Sequence, residues 1–240
     1  MRNRLHWRFI CTAIYIRNPK YNVAGLASRT TETTSMTHAF LEHRAKYRDI
    51  VAQRYRITPE LYDEASRLLA PLAVPFSMRK GEYLQRIGTP AQHVYWLHSG
   101  VARTGFITES GNEVTLHFLM DGEPAAAHDD LLRARDDQPA VNFVVAETAI
   151  HGYRLDWADV SALYGRNTQL RDYYLHAAER SIIDQSRRMV LSTSPAQGRL
   201  SAFRREYPGL EQRISQKVVA SFLGITPQYM SQLLRHDAAK

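Results

Sequence analysis

The chain has 240 residues, 44% hydrophobic and 23% charged, with 12 Gly and 10 Pro, which excludes a disordered or fibrous chain and allows one large domain or two modest ones. One Cys excludes a disulfide framework and a Cys-based zinc or iron–sulfur site within one chain, and fits a cytoplasmic protein; no apolar run reaches the ~18 residues of a membrane span. The net charge of +7 is uneven: Lys and Arg against Asp and Glu number 11 to 3 over residues 1–58, 9 to 15 over 59–167, 4 to 3 over 168–194 and 7 to 3 over 195–240, which suggests a polyanion partner, with a solvated helical surface as the alternative reading of the basic C-terminal end.

Residues 1–35 read as a disordered extension. Arg2, Arg4, Arg8 and Arg17 flank a short, partly apolar run, too short for a secretory core, and Arg29–Ser35 is a polar tract expected to be loop or disorder. Met36 is the expected natural start, with a targeting peptide as the alternative. A helix-like stretch follows from His38 to Arg56. Thr58 then caps a second helix with Pro59 in its first turn and Leu61, Ala65, Leu68 and Leu69 on its apolar face.

From Val74 the period changes. Val74–Met78, Tyr83-Leu84, His93–His98, Val101–Ile107, Val114–Leu119, Asn142–Ala146 and Ala149–Leu155 are short strands. Gly81, Gly88, Gly100 and Gly111 mark turns between them, a pattern that predicts an antiparallel sandwich or barrel. His93, His98 and His117 lie on these strands without metal-ligand spacing and read as ordinary sheet histidines. Asp156 opens another helix, and Thr168 is a candidate cap for a long one running towards Ser194. On it Leu175, Ala178, Ile182, Gln185 and Met189 recur at spacings of 3 and 4, a heptad-like seam that either pairs with a second copy or packs along the chain's own strands.

The C-terminal segment is the most specific. Ser215 caps a short helix with Val218, Val219 and Phe222 inside. Gly224 makes the left-handed turn and Ile225 fills the angle. Thr226 caps the second helix, with Pro227 at its first turn and Met230, Leu233 and Leu234 inside. That leaves Ser215, Gln216, Lys217, Thr226, Gln228, Tyr229, Ser231, Gln232 and Arg235 for solvent or DNA, as in a helix-turn-helix.

These features in this order resemble the Crp/Fnr family of bacterial transcription regulators. The segments that carry the likeness are Arg79-Lys80-Gly81-Glu82, Tyr95–Arg103 with its Ser99-Gly100, Phe118-Leu119-Met120-Asp121-Gly122-Glu123, and Gln216-Lys217 through Leu223-Gly224-Ile225-Thr226-Pro227. The resemblance implies an α+β chain. An antiparallel jelly roll of the cyclic-nucleotide-binding type spans residues 36–167, a dimerisation helix 168–194 and a helix-turn-helix 195–240. It implies a homodimer on double-stranded DNA, with RNA polymerase as a further partner and no enzymatic activity. It also implies that Gly122-Glu123 opens a phosphate-binding cassette whose later Arg and small hydroxyl residue hold a cyclic phosphate. Here Gln138-Pro139-Ala140 stands in that place, which argues against a cyclic nucleotide and leaves Gly122-Glu123 as a structural turn. The roll then senses another small molecule or none. A second departure is Gln232 where many relatives carry an Arg that reads guanine. Two rival readings remain: a roll that binds ligand but has lost DNA binding, and an enzyme using Glu123, Asp129 and Asp130.

Overall fold

The computed structural model describes the backbone of residues 26–238. The extension expected at residues 1–35 lies mostly outside the described residues. Where it is described it differs from expectation: helix α1 already runs over Leu26–Tyr55 and includes the Arg29–Ser35 tract. Extending a helix that is already nucleated costs little per residue, so a polar tract of weak propensity can continue it.

α2 follows at Pro59–Leu69, capped as expected by the Thr58 hydroxyl, which accepts from the Leu61 amide. Its buried face is Tyr62, Ala65, Ser66 and Leu69, rotated slightly from the face read from the leucines. The strands are β1 (Val74–Met78), β2 (Tyr83–Gln85), β3 (His93–Ser99), β4 (Ala102–Ile107), β5 (Glu113–Leu119), β6 (Pro124–Ala125), β7 (Phe143–Ala146) and β8 (Ile150–Asp156), with helix α3 (His128–Arg133) between β6 and β7. They form two four-stranded antiparallel sheets, ordered β1-β8-β3-β6 and β2-β7-β4-β5. Leu84, Tyr95, Leu97, Leu119, Val144 and Ile150 fill a core drawn from both. β8 alternates between buried and more exposed positions, whereas β3, β4 and β7 each carry four consecutive buried residues, so both of their faces are covered.

α4 (Trp157–Arg166) is capped by Asp156 as expected. α5 (Thr168–Ser192) starts one residue earlier than the Thr168 reading: Asn167, not Thr168, is the cap, its side-chain oxygen accepting the Leu170 amide. Asn is as good a cap as Thr, and the chain leaves its extended conformation at Asn167. A second core packs the helices on the first sheet through Phe40, Tyr62, Trp96, Trp157, Leu170 and Tyr173. Arg44 lies inside it, fully buried. It donates from Nε to the Ser66 hydroxyl (2.6 Å) and from Nη2 to the Tyr173 hydroxyl (3.3 Å), and its guanidinium lies 4.3 Å from the Tyr62 ring centroid. These aromatic faces and hydroxyls replace a carboxylate partner, and nothing in the spacing of the sequence marks Arg44 for this role.

α6 (Ala196–Glu206), α7 (Gln216–Leu223) and α8 (Pro227–Ala238) complete the chain. Their core joins Leu200, Phe203, Tyr207, Phe222, Met230 and Leu233 to Val101 and Phe118 of the strands, so the C-terminal helices are docked on the roll. α7 lies against β5, the edge strand of its sheet. The Ser221 hydroxyl accepts from the Thr115 amide (3.0 Å) and donates to the Glu113 carbonyl (2.9 Å), which satisfies edge groups that would otherwise invite another strand.

Candidate nucleic-acid interface and effector cavity

α7 and α8 form the helix-turn-helix the sequence describes. Ser215 Oγ accepts the Val218 amide (3.3 Å), Gly224 ends α7 at φ +65°, and Thr226 Oγ1 accepts the Tyr229 amide (3.1 Å). Only glycine takes that φ without strain. Val219, Ala220, Phe222, Leu223, Met230 and Leu233 are buried, while Val218, Ile225 and Leu234 are half-buried. All nine expected contact residues are exposed: Ser215, Gln216 and Lys217 at the start of α7, Thr226 at the turn, and Gln228, Tyr229, Ser231, Gln232 and Arg235 along α8. The Ser231 hydroxyl is turned back to donate to the Pro227 carbonyl (3.1 Å), so Gln228, Tyr229, Gln232 and Arg235 are the long side chains left on that face. Tyr229, 46% exposed, is an aromatic ring on an otherwise polar surface.

On α5 the expected seam is open. Leu175, Ile182 and Met189 are 51%, 63% and 70% exposed, Gln185 is exposed and Ala178 half-buried, and Ile183 and Val190 extend the same apolar stripe. The alternative, a stripe packed on the chain's own strands, is not what the structure shows: α5 buries Leu170, Tyr173 and Ala177 instead.

The cassette region is filled from within. Gly122 sits at φ +85°, donates its amide to Leu97 O (2.8 Å), and leaves no room for a Cβ against the Tyr47 ring, as a structural turn requires. Glu123 forms an ion pair with Arg54 of α1 and accepts the Met120 amide (3.0 Å). At the start of β7, the amides of Val141 and Asn142 donate to the two carboxylate oxygens of Asp130 (2.8 and 3.0 Å), and Asp129 accepts from the Asn142 side chain (2.8 Å). Asp130 is fully buried; burial raises its pKa, opposed by these amide bonds. Arg133 donates to Pro139 O, and the Arg135 guanidinium lies over the rings of Trp157 and Tyr164. Glu123 and the amides of Val141 and Asn142 are thus already engaged, no Lys or Arg stands at Gln138–Ala140 where a cyclic phosphate would need one, and the residues present do not fit a cyclic nucleotide.

His93 and His98 lie on one sheet and His117 on the other, so the strand histidines are not brought together. Burial pushes His117 down to about 3; its Nδ1 lies 3.2 Å from the Tyr207 hydroxyl. Among the described residues no group of three or more His, Cys, Asp or Glu could hold a metal ion, and no helix is long and apolar enough to cross a membrane.

A cavity of about 650 Å³ opens between the roll, α5 and the helix-turn-helix. Glu123, His128, Asp129 and Asn142 line it from the roll, and Arg188, Arg199 and Phe222 from the C-terminal side. No sequence signal marked this cavity, because its walls come from segments as far apart as residues 54 and 224.

Comparison with known proteins agrees with this architecture. Residues 75–167 match the cyclic nucleotide-binding domain family. No curated protein matches the chain at a significant level. Among solved structures, FixK2 from Bradyrhizobium japonicum shares 18% identity with a TM-score of 0.57, covering 68% of this chain and 83% of that one. The c-di-GMP responsive global regulator CLP of Xanthomonas campestris shares 13% identity with a TM-score of 0.58, covering 73% and 91%. A protein described as a transcriptional regulator of the Crp/Fnr family from Eubacterium rectale shares 17% identity with a TM-score of 0.59, covering 73% and 83%.

Proposed function

We propose that this chain, which carries a cyclic nucleotide-binding-type jelly roll and shares the fold of Crp/Fnr-family regulators, is a dimeric cytoplasmic transcription regulator that binds double-stranded DNA and is not an enzyme. The observation that carries the reading is the face of α8: its apolar side is sunk in the core while Gln228, Tyr229, Gln232 and Arg235 stand exposed beside the exposed start of α7. α8 is the recognition helix in the major groove, with Gln228, Tyr229 and Gln232 near base edges. A Gln can pair both edge atoms of adenine, so an adenine preference is expected at one half-site position. Ser215, Gln216 and Lys217 face phosphate. The exposed stripe Leu175–Met189 with Ile183 and Val190 is the dimer seam, and the dimer favours an inverted repeat with half-sites ~34 Å apart. The alternative, a roll that has lost DNA binding, is not favoured, since the exposed face of α8 retains its long polar side chains.

Binding isotherms on specific and scrambled duplexes at several salt concentrations test this. Gln228→Ala should lose about 1–3 kcal/mol on the preferred duplex and flatten discrimination. Lys217→Ala should weaken both duplexes alike and reduce the salt slope by about one. Equal losses for both variants on both duplexes would mean that α8 does not read bases.

A further inference from the structure

The charges along the cavity are arranged in an unexpected sense. Towards the roll, Arg54 is paired with Glu123, while Asp129 and the neighbouring buried Asp130 make that part hostile to an anion. Arg180 is paired with Asp184 on α5. Where α5, α6 and α7 meet, the balance reverses. Arg188 donates to the carbonyls of Thr115 (2.7 Å) and Phe222 and stacks on the Phe222 ring at 3.9 Å. Arg199 donates from Nη1 to Ser192 O (2.9 Å), and its Nε is buried without an acceptor. Among the described residues neither guanidinium has a carboxylate oxygen within ion-pair distance. Glu206 acts on Arg188 only through space, and Arg199 is near enough to oppose its charge. Burial pushes Arg188 down to about 10. Two half-buried cations facing one cavity, one with an unsatisfied donor, carry a desolvation cost that an anion would relieve. That wall also carries apolar Leu116, Leu191, Phe222 and Leu223, beside the polar Gln185 and Ser192.

We propose that this cavity binds a small amphipathic organic anion, with its acidic group on Arg188 and Arg199 and its apolar body against Leu116, Leu191 and Phe222. The volume is in the range of small-ligand pockets. The acidic group lies towards the helix-turn-helix, away from the cassette around Asp130. A ligand so placed touches the roll, α5 and α7 together. Binding is measured without DNA, so failure of this proposal is distinct from failure of the DNA-binding reading.

The test is calorimetric titration of the full chain with decanoate, with its uncharged counterpart decanol, and with inorganic phosphate. Decanoate should bind at least tenfold more tightly than decanol, and phosphate alone should give no measurable heat. Arg199→Met should weaken decanoate at least tenfold and leave decanol unchanged, while Arg199→Lys should recover part of the loss. Arg199 is the position to vary because Arg188 also braces α7. Equal affinities for decanoate and decanol, no binding of either, or decanoate binding insensitive to Arg199→Met (as expected if it coats the exposed α5 stripe) would each overturn the proposal.

Discussion

His43 should make this protein acid-sensitive at the joint between α1 and the roll. The side chain is 3% exposed, its Nε2 donates to the Leu97 carbonyl at 3.2 Å, and its Nδ1 is buried with no partner. Protonating the ring would bury an N–H without an acceptor beside His98, Arg44 and Lys46, and burial pushes the pKa from 6.5 to about 4. The folded pKa is depressed, so the unfolded state takes up the proton first. The stability from neutral His43 is therefore present above pH 6.5 and lost as the pH falls towards 4. The gap amounts to about 3 kcal/mol once both states are protonated, and about 2 kcal/mol at pH 5. Urea denaturation of the native chain and of His43→Gln, each at pH 7.5 and pH 5.0, measures it. Gln keeps a donor for Leu97 O and does not titrate. The native chain should lose about 2 kcal/mol more than the variant between the two pH values. Equal losses would refute the assignment, since His93, His117 and His128, whose pKa values burial also lowers, are present in both proteins and cancel in the comparison.

Other perturbations read different parts of the argument. Ile182→Glu puts a charge at the centre of the α5 stripe; if the stripe is the seam, about 3 kcal/mol or more is lost and sedimentation at micromolar concentration should show monomers rather than dimers. Asp130→Ala leaves the Val141 and Asn142 amides without their acceptor, at a cost of about 2–5 kcal/mol in urea denaturation; a loss below about 1 kcal/mol would mean that water replaces the carboxylate. Cyclic AMP should bind no better than millimolar, about −4 kcal/mol, and calorimetry showing micromolar binding would sink the reading of a self-filled cassette.

Elements with local signals could be read from the residues alone. Thr58, Asp156, Ser215 and Thr226 cap the helices read from them, because a cap bond spans two or three residues. Gly224 turns where it was expected to, and the exposed face of α8 follows from its 3.6-residue period. The strands and their antiparallel class were legible from short runs of strand formers and the turns between them, and the missing cation at Gln138–Ala140 was legible as composition. What replaces it depends on long-range contacts. Asp130 reaches amides eleven and twelve residues away and Arg54 reaches Glu123 across 69, contacts with no sequence period. The same holds for Arg44, whose partners Ser66 and Tyr173 lie 22 and 129 residues off, and for Ser221, 106 residues from Thr115. The cavity with Arg188 and Arg199 exists because α6 and α7 dock on β5, and the packing of Phe118 on Phe203, Tyr207 and Phe222 sets that docking. Hydrophobic pattern tells each segment which face to bury, but it does not say against what; shape complementarity among distant segments makes that choice, and with it the charge left unpaired inside.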